Sequence, residues 1–171
     1  LIYITTERLE QLSKPEVDKL IRFTAKGNQV VFLRPVYDDR FAYFLGMKRN
    51  TSQPIDTTAE GFSFKENVFP NYKGESYTNR ATFIHGGFHG SEFVEQKKVL
   101  ATASNDPDYP VIIQRDTGKG QLVYFNTMVM SDKSYRGLLF SVGLKALEGY
   151  PYRVANVSTI FLDDFPAPLY D

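Results

Sequence analysis

The sequence predicts an α/β domain, a layered sandwich on a mostly parallel sheet with a β-rich insertion, and three observations carry that expectation. Strand-like and helix-like stretches alternate from the first residues, helix punctuation is complete around residues 13–27, and the alternation resumes after a β-rich middle. With 171 residues, 42% hydrophobic and 15% aromatic, the chain can bury one sizeable core.

"LIYITT" is a short apolar, β-branched run, expected as a strand buried on both faces within a sheet. "SKPEVDKLIRFTAKGNQ" follows with Ser13 as N-cap, Pro15 in the first turn, Glu16 three residues after the cap and Gly27 as stop. Val17, Leu20, Ile21 and Thr24 share one face, so this helix can lie on the sheet. "QVVFLRP" supplies the next strand, ended by Pro35, and "DDRFAYFLGM" a short helix stopped near Gly46. Strand, helix, strand, helix favours parallel pairing with right-handed crossovers.

From residue 48 to 104 helical periodicity disappears. Alternating stretches broken by Gly, Asn and Pro read as hairpins and loops, an excursion from the sheet. "PVIIQRDTGKGQLVYFNT" is a hairpin with a Gly-containing turn. "SDKSYRGLLFSVGLKALEG" reads as a helix with Ser131 or Asp132 as cap, an apolar side of Leu138, Leu139, Val142 and Ala146, and Gly149 as stop. The close, "NVSTIFLDDFPAPLYD", is a strand running into two aspartates and a Pro-rich exit.

Twenty basic and twenty acidic side chains leave a formal charge of zero, so no overall field draws the chain to phosphate backbones or anionic membranes. Nucleic acid is not an expected partner, and no apolar run is long enough for membrane insertion. The absence of cysteine removes thiol nucleophiles, thiolate metal sites and disulfides together.

Four stretches could carry chemistry. Gly118-Lys119-Gly120 lacks the spacing and following helix of a phosphate loop and reads as the hairpin turn. His85 and His89, four apart in "HGGFHG", are either metal or ligand contacts or ordinary histidines at a hairpin tip; the glycines argue against a helix that would align them. Tyr72, Tyr77, Phe83, Phe88 and Phe93 are either a sugar-stacking surface, with Tyr77 and Phe88 as glycan-binding candidates, or core and cross-strand filling. Asp163 and Asp164 point differently on leaving a strand, so one could serve a reacting group while the other holds a cation; a solvated turn before Pro166 is the alternative.

Two resemblances enter on these residues. From "IYITTERLEQL" through the Leu45-Gly46 turn to "GKGQLVYFN", residues 1–149 resemble the class I glutamine amidotransferase-like, flavodoxin-like fold. The version resembled is the degenerate one found as accessory domains of carbohydrate-active enzymes, such as the trimerisation domain of certain β-galactosidases. The triad of that family has no counterpart here: Arg34, Pro35 and Val36 follow "VVFL", and Asn126, Thr127 and Met128 follow the late strand. Residues 150–171 resemble a linker and the first strand of a polysaccharide deacetylase-like domain, which implies Asp163 as catalytic base and Asp164 as metal ligand. The pairing is similar to an uncharacterised bacterial family.

The resulting expectation is a non-catalytic accessory domain of a polysaccharide deacetylase or another carbohydrate-active hydrolase, one that binds glycan, positions its neighbour or mediates assembly. It needs no cofactor itself; a zinc-like divalent metal is implied for the parent protein, and homo-oligomers are expected alongside glycan as partners. The alternatives are a metal-dependent hydrolase using Asp163 and Asp164, or a purely structural oligomerisation module. The resemblance also implies an extracytoplasmic location, earlier strand–helix units before Leu1 and the rest of a second domain after Asp171.

Overall fold

The computed structural model describes residues 1–51, 54, 58–84, 86–128 and 133–146, and among them seven strands form one sheet flanked by three α-helices. In chain order these are β1 (Ile2–Ile4), α1 (Lys14–Ala25), β2 (Gln29–Phe32), α2 (Ala42–Leu45), β3 (Thr58–Phe64), β4 (Ser76–Ile84), β5 (Lys98–Ala103), β6 (Pro110–Thr117), β7 (Gly120–Phe125) and α3 (Lys133–Ala146). The spatial order is β1-β2-β7-β6-β5-β3-β4.

α1 forms where its punctuation predicts. The Glu16 carboxylate accepts from both the backbone N–H and the hydroxyl of Ser13, at 2.7 and 2.6 Å, which closes the first turn and holds that carboxyl below its usual range. Val17 and Thr24 are buried, and Leu20, Ile21 and Phe23 pack against the same core. The face facing α1 carries Val30, Phe32, Ile113, Leu122 and Tyr124; the opposite face carries Val31, Val123 and Phe125 beneath Leu138 and Val142 of α3. Alternate residues of β2 and β7 thus enter different cores, as the pleat requires.

The sheet corrects the expected fold class. Only β1–β2 and β2–β7 pair in parallel, while β7–β6, β6–β5, β5–β3 and β3–β4 are antiparallel, so the layered sandwich has a mostly antiparallel sheet and is not a flavodoxin-like or amidotransferase-like one. The reason is local. A parallel neighbour needs a crossover of a dozen or more residues, usually helical, but β6 and β7 are joined by a two-residue turn that can only reverse the chain. Nor is the stretch from 48 to 104 an excursion: β3, β4 and β5 extend the same sheet. β1, expected inside the sheet, borders it among the described strands. Tyr3 on it is partly exposed, and its hydroxyl lies so close to Gly143 of α3 that any Cβ there would collide.

The 149/150 boundary and residues 150–171 lie outside the described residues, as do the helix caps Ser131 and Asp132.

Candidate functional site

Parallel strands deliver their carboxyl ends to one edge, and in α/β sheets that edge is where ligands settle. β1 runs into Glu7 and Glu10, β2 into Arg34, Pro35, Val36 and Tyr37, and β7 into Met128; with Pro54 and Phe88 these residues line an open cleft of about 380 Å³.

The floor is anchored from beneath. The Tyr124 hydroxyl, fully buried, donates to the Val36 carbonyl at 2.9 Å, and burial pushes its phenol well above the ordinary value. Asn126, the first residue past β7, donates its amide to the carbonyls of Phe88 and Pro110 and accepts from the Phe88 N–H, each at 2.8 Å. Three of that side chain's four hydrogen-bonding positions go to backbone, which fixes the loop carrying Phe88 against the strand ends. Met128 packs where Gly86 has no side chain: a Cβ at Gly86, whose φ is +57°, would sit 2.5 Å from the Met128 sulfur.

The rim is polar. Arg34 and Glu7 form an ion pair, both substantially exposed. Tyr37 hydrogen-bonds the Asp39 carboxylate and lies 3.0 Å from the Lys48 carbonyl; desolvation, aided by Asp39, raises its phenol. The same hydrogen bond, with one from the Asn50 N–H, holds the Asp39 carboxyl low. Chemically, the cleft offers carboxylates that accept, a guanidinium that donates, and an apolar floor of Pro35, Val36, Phe88 and Met128. Positions where an amidotransferase nucleophile and base would stand carry Arg34, Pro35 and Asn126.

Residues singled out from sequence are scattered. Phe88 is only 2% exposed, edge-on to Tyr37 with ring centres 6.2 Å apart, yet it borders the cleft. Tyr77 is 40% exposed on β4, at the far edge of the sheet. Tyr72 packs on Phe64 and Phe69, and Phe93 on Tyr124. His89 caps the 3-10 turn Gly90–Glu92, its ring nitrogen 2.8 Å from the Ser91 hydroxyl. His85, Asp163 and Asp164 lie outside the described residues. Among the described residues no group of three or more potential metal ligands comes together, and no helix is long and apolar enough to cross a membrane. Sequence reasoning missed Glu7, Arg34 and Tyr37; the signal available was their place just after apolar strands.

Fold and cleft together define an α/β domain with a mixed sheet and a ligand-sized opening at its parallel edge. Residues 5–171 match the family described as an uncharacterised protein conserved in bacteria (DUF2194), and the chain belongs to that family. No curated protein matches it. Similar solved structures include the β-galactosidase of Bacillus circulans sp. alkalophilus, at 15% identity and a TM-score of 0.55, covering 82% of this chain and 22% of that one. The β-galactosidase of the Antarctic haloarchaeon Halorubrum lacusprofundi is similar at 13% identity and a TM-score of 0.52, covering 82% and 21%. A cytoplasmic protein of Salmonella typhimurium is similar at 12% identity and a TM-score of 0.51, covering 82% and 68%. The chain spans about a fifth of the galactosidases' length, and at these identities the likeness is one of fold.

These findings overturn the amidotransferase-plus-deacetylase recognition. A single family runs from residue 5 to 171, and the similar structures share a segment of β-galactosidases with a chain whose sheet is mostly antiparallel. The zinc-like metal that the deacetylase resemblance implied loses its support with it, and Asp163 and Asp164 lie outside the described residues.

Proposed function

We propose that this chain is a non-catalytic accessory module of a carbohydrate-active protein and that the cleft beside Arg34 contacts glycan. The observation that carries the reading is the cleft's make-up: an apolar floor bordered by the buried Phe88 ring, a rim of Glu7, Glu10 and Arg34, and Asn126 committed to backbone. Sugars present both apolar C–H faces and hydroxyls, and such a surface meets both. The fold shared with part of β-galactosidases supports a carbohydrate setting. Tyr77, on the β4 edge, is a second contact for a long polymer in this proposal. In the same proposal the module's boundary falls near residue 149, and polymeric glycan is met outside the cytoplasm.

Titration of the chain with neutral oligosaccharides, followed by calorimetry and amide chemical-shift mapping, tests this. Saturable binding with shifts at Arg34, Tyr37 and Phe88, weakened about tenfold by Arg34→Ala, is the expected result. Hydrolysis of the sugars at enzymatic rates, or no binding at millimolar concentration, would refute it.

A further inference from the structure

We propose a second ligand site, for the carboxylate-bearing ring of an acidic saccharide, in the groove between α1, α2 and the β6–β7 turn. The groove holds about 230 Å³ and is bordered by Ile21, Phe44, Tyr43, Arg115 and Thr117. It lies at the start of β7, whereas the cleft lies at its end, and a six-residue strand separates them by about 20 Å.

Two observations define the ligand. Tyr43 is 87% exposed, far more than an aromatic ring on a short helix needs to be. Above its ring stands the Arg115 guanidinium, its carbon 5.3 Å from the ring centre. That arginine is held in place: its side chain lies over Gly46, where a Cβ would come within 2.6 Å of Nη1 and 2.9 Å of Cδ, and Gly46 at φ +71° also ends α2. Among the described residues no carboxylate pairs with Arg115, and its Nε, like the Thr117 hydroxyl, is buried without a partner. The neighbouring Arg40 differs, being spent on Asp38 and the carbonyls of Leu9 and Leu12.

A guanidinium fixed by stacking presents its fork for bidentate recognition of a carboxylate, and the tyrosine edge and apolar wall receive the attached ring. The volume is below the about 300–1,000 Å³ of pockets for drug-sized ligands, which fits one sugar ring. Asp116, exposed at the rim, repels a second acidic group and so favours a single carboxylate. The saccharide part of this assignment rests on the glycan-contact reading; the anionic part rests on Arg115 alone.

The test compares galacturonic acid, which carries a single carboxylate, with neutral galactose on the 171-residue chain, by calorimetry and shift mapping. The acidic probe is expected to bind about tenfold tighter, with shifts at Tyr43 and Arg115. Arg115→Gln should remove that preference and Arg115→Lys most of it, since lysine keeps the charge without the fork. Arg34→Ala should leave the affinity of the acidic probe and its shifts at Tyr43 and Arg115 unchanged while weakening the neutral sugar. Equal affinity for both probes, displacement by acetate at equal concentration, equally tight binding of a short glutamate peptide, or an undiminished preference in Arg115→Lys would each overturn the site. Failure here with neutral binding retained leaves the cleft reading standing; failure of both probes removes both.

Discussion

The parallel third of the sheet and its antiparallel remainder solve different problems. β2 and β7 are covered on both faces, and with β1 they direct their carboxyl ends to one edge, where Glu7, Arg34 and Met128 meet although they are remote in sequence. β6, β5, β3 and β4 pair antiparallel through longer loops and add area to the core through Phe62, Phe64, Leu100 and Ile112. Antiparallel strands send successive loops to opposite ends, so they do not concentrate side chains in this way. The smaller region therefore supplies most of the cleft, completed by Phe88 from the β4–β5 loop and by Pro54, and the larger one supplies breadth and stability.

Substitution should separate these roles. The largest loss is expected for Phe32→Ala on β2, fully buried and in edge contact with Phe41 and Phe44: about 4 kcal/mol in denaturant unfolding. A cost under about 1 kcal/mol would mean that the parallel region is not the rigid one. Asn126→Ala strips hydrogen bonds from Phe88 and Pro110 at the seam between the regions and should cost about 3 kcal/mol, with faster amide exchange around Phe88. Exchange unchanged at Phe88 would break the clamp argument. Tyr124→Phe, which orphans the Val36 carbonyl under the cleft, should cost about 1 kcal/mol.

The smallest effect is electrostatic. Arg40 holds the Asp38 carboxyl below its ordinary value, so the folded chain takes up that proton less readily than the unfolded one. The contribution is complete above the unfolded carboxylate pKa of about 3.9 and is lost as pH falls through the lower folded value. With Arg40 partly exposed, it should amount to less than about 1 kcal/mol, and Asp38→Asn should abolish that part of the acid dependence.

How far the sequence could be read follows the same division. Ser13, Pro15, Glu16 and Gly27 announce α1 because capping is local, and the Gly118-Lys119 turn announces the β6–β7 hairpin for the same reason. The neighbouring of β2 and β7, which brings Gln29 beside Gln121, has no local signal, and neither does the joining of β5 to β3. Helical punctuation around two strands therefore predicts parallel pairing, which the hairpins of the remaining strands cannot build. The cleft was hidden similarly: Glu7, Arg34 and Phe88 belong to no motif and become a site only when distant strand ends are aligned.

Shift mapping of a bound neutral oligosaccharide compares the two regions most directly. Perturbations clustered on Glu7, Arg34, Tyr37 and Phe88, with β3 and β5 quiet, are the predicted result. Perturbations centred on Phe64, Tyr72 and the β4 edge, with Arg34 and Tyr37 unmoved, would contradict the assignment of glycan contact to the parallel edge.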